Sequence, residues 1–175
     1  MRKTLSFVLL TGILLICGSV ALAQQHNLMP VPASINFNND RLAIDQSFKV
    51  ATRGHSDARL QAAIARFVKR LEGRTVLTFA PGLSPDDQMT TLIVACDGPG
   101  QDVPSVSENE SYRLDITDRQ ALLSAPTVVG AIRGLETVLQ LLNSDRRGFF
   151  LPGVKIQDQP RFSWQIGRAS CRERV

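Results

Sequence analysis

Few side chains in this 175-residue sequence have a type and spacing that could do chemistry. His26 and His55 lie far apart and lack acidic or cysteine partners at ligand spacing, so neither a metal site nor a general base is assigned to them. Asp86-Asp87 is a carboxylate pair of the kind acid–base hydrolysis uses. It sits, however, behind Pro81-Gly82 and Ser84-Pro85, which mark a turn. Gly98-x-Gly100 could cradle a phosphate only ahead of a helix; no helical pattern follows, and it reads as a loop. Cys96 is the sole cysteine between a leader containing Cys17 and a tail containing Cys171, so it has no partner for an internal disulfide. Its neighbours Leu92-Ile93-Val94-Ala95 predict a buried, inert thiol at a strand end rather than a nucleophile. Asn109-Glu110-Ser111 matches a glycosylation sequon, which matters only in a eukaryotic secretory pathway. Arg133 reads equally as a solvated helix residue or an inter-domain contact. No catalytic, cofactor-binding or metal-ligating residue is assigned, and no cofactor is expected.

The elements that would position these residues begin after a leader. Arg2-Lys3, an apolar stretch from Leu5 to Val20 and the small residues of Ala21-Leu22-Ala23 form an export-signal pattern over residues 1–23. Ile16 before Cys17 is too bulky for a lipoprotein signal. Cleavage would start the mature chain at Gln24, with a periplasmic or extracellular destination and no membrane attachment. The formal charge is +4 and the sequence pI about 9.3. Arg2, Lys3, Arg168, Arg172 and Arg174 carry that excess, and from Gln24 to Gln165 acids and bases balance. The charge therefore offers nothing to a nucleic-acid partner. With 43% hydrophobic residues the body suits one globular domain.

Pro30 and Pro32 open that body as an extended segment. Ile35 and Phe37, then Leu42 and Ile44, alternate with polar residues around an Asn38-Asn39-Asp40 turn, and Phe48 and Val50 continue the pattern. These predict short antiparallel strands. Leu60, Ile64, Phe67, Val68 and Leu71 recur at helical spacing, with Ser56 or Asp57 as a cap and Gly73 as a stop. Val76 to Phe79 reads as a strand. Thr91 to Ala95 reads as a central strand buried on both faces. Tyr112, Leu114 and Ile116 alternate with Arg113 and Asp115 and turn at Thr117-Asp118-Arg119 into Ala121-Leu122-Leu123, a hairpin. Thr127 to Asn143 forms a second helix. Its Gly130 and Gly134 suit a close approach to a sheet, although each costs about 1 kcal/mol of helix propensity relative to alanine. Phe149 to Ile156 is a last extended piece around Pro152-Gly153. The pattern predicts an α+β, two-layer domain: two helices packed on one face of a mainly antiparallel sheet.

Three stretches carry a family resemblance. They are Leu28-Met29-Pro30-Val31-Pro32; Glu110-Ser111-Tyr112-Arg113-Leu114 with Gly130-Ala131-Ile132-Arg133-Gly134-Leu135-Glu136-Thr137; and Ile156-Gln157-Asp158-Gln159-Pro160-Arg161-Phe162-Ser163-Trp164. In this order and spacing they resemble the β-N-acetylhexosaminidases of glycoside hydrolase family 20, from the opening MPxP segment to the DxPRFxW lead-in to the catalytic domain. The resemblance implies an accessory α+β domain over residues 24–160, ahead of a (β/α)₈ barrel that starts at 161–164. That barrel removes terminal N-acetylhexosamines by substrate-assisted, retaining catalysis, outside the usual two-carboxylate scheme. A Glu protonates the leaving oxygen, the substrate's acetamido oxygen attacks, and an Asp orients that amide. No Asp-Glu motif of that kind occurs in this sequence. The implied partners are the domain's own barrel and, through it, N-acetylhexosamine-containing glycans; the domain alone is expected to be inactive.

After Trp164 the family pattern expects Arg-Gly, whereas this chain reads Gln165 and then Ile166 to Val175. Ile-Gly-Arg-Ala-Ser-Cys-Arg-Glu-Arg-Val is the translation of a common sequencing-adapter string, so residues 165–175 are expected to be non-native. Two other functions compete. A stand-alone secreted carbohydrate-binding or interaction module would need an aromatic platform, yet only Tyr112 and Trp164 bring polar-tipped rings. An accessory domain of another glycosidase, O-GlcNAcase-like or α-glucuronidase, would share the fold.

Overall fold

A computed structural model describes residues 27–84, 90–103, 105 and 107–159. The leader with His26, the Asp86-Asp87 pair, the PRFxW segment and the tail lie outside the described residues. Seven strands and two helices are present among them: β1 Ser34–Ile44, β2 Val50–Gly54, α1 Ala58–Thr75, β3 Leu92–Gly98, β4 Tyr112–Ile116, β5 Ala121–Thr127, α2 Val128–Gln140, β6 Asn143–Asp145 and β7 Gly148–Asp158. The sheet order is β1-β7-β4-β5-β3-β2, with β6 also on β7.

Alternation decides which face is covered. Leu114, Ile116, Leu123, Val154 and Ile156 point to one side and join Leu60, Ile64, Phe67 and Leu71 of α1 and Leu135, Val138 and Leu139 of α2 in a single buried cluster. Both helices therefore cover the same face, and the domain has two layers, as the periodicities predict. The other face is open and carries the alternate residues of β4, Arg113 and Asp115.

The sheet is mostly antiparallel but mixed. β4 pairs antiparallel with both β5 and β7, and β1 and β6 pair antiparallel with β7. In contrast, β2 and β5 both run parallel to β3. The expectation that Val50 opens one more antiparallel strand is corrected: α1 intervenes between β2 and β3, and such a crossover returns the chain parallel. Leu92, Ile93 and Val94 of β3 are buried in succession, as befits a strand flanked on both sides.

Other boundaries move for local reasons. The predicted turn at Asn38-Asn39-Asp40 is a bulge inside one continuous strand. Phe37 faces Val154 and Arg41 faces Pro152, so β1 spends two extra residues there. Asn38 Oδ1 accepts the Asp40 N–H at 2.9 Å. Gly153 opposite is required: a Cβ there would lie 1.8 Å from Asn38 Oδ1. Pro152 sits in the stretch of β7 between its ladders with β6 and β4, where no neighbouring strand needs its missing N–H. Helix α1 passes Gly73 and stops two residues later, with Val76 at φ 57° as a left-handed cap donating to Glu72 O. The predicted strand from Val76 to Phe79 does not pair with the sheet; Phe79 is held by Glu72 Oε1 at 3.0 Å and packs on Phe48. Helix α2 ends at Gln140, and β6 takes residues the helical pattern had claimed.

Candidate functional site

The three stretches that carry the resemblance meet at one corner, where β7 ends beside the start of β4. Leu28 is buried in the core, and the next residue, Met29, is clamped by Gln140 at the end of α2. The Met29 N–H donates to Gln140 Oε1 at 2.7 Å, and Gln140 Nε2 donates to Met29 O at 3.0 Å. Four residues on, the Ala33 N–H donates to Asp158 Oδ1 at 3.0 Å. Asp158 is in register with Tyr112. The Tyr112 and Thr137 hydroxyls are 2.6 Å apart in the interior. Burial, the largest cause, pushes the Tyr112 phenol up to about 12, against the opposing Thr137 hydrogen bond.

Each residue of the Gly130 to Thr137 motif that is not simply apolar meets a named neighbour. Thr127 caps the helix by accepting the Gly130 N–H at 3.2 Å. A Cβ on Gly130 would lie 2.3 Å from the Ser111 carbonyl oxygen, and one on Gly134 would lie 2.2 Å from Leu123 Cδ1. The two glycines let α2 sit directly on β4 and β5. Arg133 forks onto Glu110, with Nε to Oε2 at 2.9 Å and NH2 to Oε1 at 3.4 Å. That contact lies within the domain and settles what periodicity left open for Arg133. Glu136 pairs with Arg70 of α1, tying the helices together on their outer side. The motif is thus a packing device, and its polar residues reach protein groups rather than a cavity.

The remaining sequence candidates are dispersed. The His55 N–H donates to Cys96 O at 2.7 Å, and its Nε2 is 3.8 Å from Asp57 Oδ2. Asp57 caps α1, accepting the Leu60 N–H at 2.8 Å; that bond is the main reason its carboxyl stays below the ordinary aspartate range. Cys96 is buried, its thiol pushed up by desolvation and its Sγ 3.2 Å from Gly98 O. Gly100, at φ +77°, lies against Glu108, whose Oε2 accepts the Gln101 N–H at 2.9 Å; this glycine shapes a loop. Asn109 Oδ1 is taken by the Ser111 backbone and hydroxyl at 3.1 and 2.6 Å. Among the described residues, no three of His, Cys, Asp and Glu group as metal ligands. The clamps at Met29 and Ala33 could not be seen in sequence, because they join residues 111 and 125 positions apart.

Comparison with known proteins agrees with this geometry. Residues 28–141 match the family described as beta-acetyl hexosaminidase like. The alpha subunit of β-hexosaminidase from Bos taurus is 34% identical over 145 residues, covering 77% of this chain and 27% of that protein. The beta subunit from Rattus norvegicus is 34% identical over 152 residues, covering 79% and 28%. Among solved structures, the chitobiase of Flavobacterium johnsoniae superposes with a TM-score of 0.75 at 36% identity, over 81% of this chain and 22% of that one. The Streptomyces plicatus β-hexosaminidase, at 19% identity and a TM-score of 0.58, shares the fold over 78% of this chain and 26% of its own. The chain spans about a quarter of the length of the relatives it matches. A match over the whole core, with every residue of its motifs in a packing role, leaves one conclusion: this chain belongs to the beta-acetyl hexosaminidase-like family, as an N-terminal domain of the β-hexosaminidase type.

Proposed function

We propose that the chain is the non-catalytic, exported accessory domain of an exo-β-N-acetylhexosaminidase. Its catalytic barrel would follow β7 and remove terminal N-acetylhexosamines by substrate-assisted, retaining chemistry. The observation that carries this reading is the corner itself. Gln140, Asp158 and the Tyr112–Thr137 pair fix both the first described segment and the last strand, so whatever follows Asp158 starts from a rigid point. The barrel is the partner expected there, and glycans, chitin fragments among them, would be met through it. Export rests on the leader pattern of residues 1–23.

Two measurements test this. A chromogenic N-acetylglucosaminide should remain intact with the 175-residue chain, and turnover by the chain alone would overturn the non-catalytic role. The gene read past the Trp164 codon should encode a barrel with a His-x-Gly-Gly-Asp-Glu-like motif; a native stop at that codon would overturn the two-part reading.

A further inference from the structure

We propose that the open face of the sheet is a carbohydrate-binding site for one or two pyranose rings. A concavity of about 340 Å³ lies over β1, β7, β4 and β5, on the side away from the helices. That volume is within the about 300–1,000 Å³ that small-ligand sites occupy.

The register builds its floor as two rows. Gln157, Arg113 and Ser124 are direct neighbours across β7, β4 and β5, and Lys155, Asp115 and Leu122 form the next row. Neighbouring strands are about 4.8 Å apart and alternate residues about 6.8 Å apart, so the six side chains cover roughly 10 by 7 Å. β1 extends the rows with Ser34 and Asn36.

The donors and acceptors of this floor are left over. Lys155 Nζ and Asp115 Oδ2 pair at 3.2 Å, but Asp115 Oδ1 has no hydrogen-bond partner among the described residues. Within the same limits, the side chains of Arg113, Ser124 and Gln157 make no hydrogen bond to protein. The floor therefore offers a forked donor, a carboxylate acceptor, a hydroxyl, an amide and one apolar side chain at the end of a row. A sugar ring needs that mixture, with hydroxyls that both donate and accept and a C–H face for Leu122. A simple anion would use the cation and leave the acceptors idle. A peptide could not join as a strand, because β7, β4 and β5 already have neighbours along this stretch. The face belongs to this chain, and its role is independent of any barrel chemistry.

The test is an amide chemical-shift titration of the chain with two probes, N,N′-diacetylchitobiose and cellobiose. At least one should shift the amides of Arg113, Ser124 and Gln157 and saturate in the millimolar range. R113A and D115N should each weaken that binding about tenfold or more while leaving the melting curve in place. K69A on the solvated side of α1 should bind normally. Three results would overturn the proposal: no response to either sugar at high millimolar concentration, shifts confined to the helix side, or binding that survives both substitutions.

Discussion

On the helix side of β4, Tyr112, Leu114 and Ile116 are buried, and α2 lies close enough that Gly130 and Gly134 have no room for a methyl group. On the other side of the same five residues, Arg113 and Asp115 stand over an open concavity. Both faces come from one alternation, yet they differ in what a substitution can reach. The covered face is close-packed, so lost or added volume becomes lost stability. The open face has little packing to lose, and changes there should register in binding.

The largest effect should come from Leu123, which is fully buried against Gly134. Leu123→Ala should cost about 2–5 kcal/mol in urea unfolding. Adding Gly134→Ala should partly refill the space, so that the double variant is less destabilised than the sum by about 1 kcal/mol. Strict additivity would mean that the two sites are not in contact.

Tyr112 comes next. In the unfolded chain its phenol ionises near 10, and in the native protein near 12. Between those values the unfolded state has released its proton and the native state has not, so stability falls as pH rises. The contribution is intact below about pH 10 and is lost by about pH 12, a change of about 2–3 kcal/mol. Tyr112 is the only tyrosine, so tyrosinate absorbance reads it directly. Native titration near 10 would place the ring in water. Tyr112→Phe should flatten the alkaline part of the stability curve.

Gly130→Ala should cost about 1–2 kcal/mol. Contact with a backbone carbonyl outweighs the helix propensity gained, whereas the flexible tip of Leu123 should make Gly134→Ala milder. Arg133→Ala removes a largely solvated pair and should cost less than about 1 kcal/mol in thermal melts. Smallest of all, Arg113→Ala should leave unfolding within about 0.5 kcal/mol of the parent. A larger loss would make the open face a structural element and weaken the contrast.

Much of the covered face was legible in the sequence. The alternation in Tyr112–Ile116 and the three- and four-residue spacing in Leu60–Leu71 depend on local geometry, and local geometry is what a sequence displays. The glycines at 130 and 134 announced a close approach for the same reason. Strand direction was not legible, because β2 and β3 differ from an antiparallel pair only through the path of the intervening helix. Val76 to Phe79 misled because its β-branched and aromatic residues satisfy a core position as well as a strand. For the site, the motifs located the corner but could not reveal its clamps. The open face stayed hidden as well, because Arg113, Ser124 and Gln157 become neighbours only once three strands are in register.

The bulge in β1 bears on how the domain behaves in a crowd. β1 ends the sheet, so its outer edge is free to template a strand from another molecule. The two extra residues at Asn38–Asp40 break that edge into two short runs, Ser34–Phe37 and Arg41–Ile44, set out of phase with each other. A straight incoming strand can match one run or the other but not both. The kink that Gly153 makes possible thus guards the domain against growing into a continuous intermolecular sheet, a safeguard against aggregation carried by backbone shape rather than by charge.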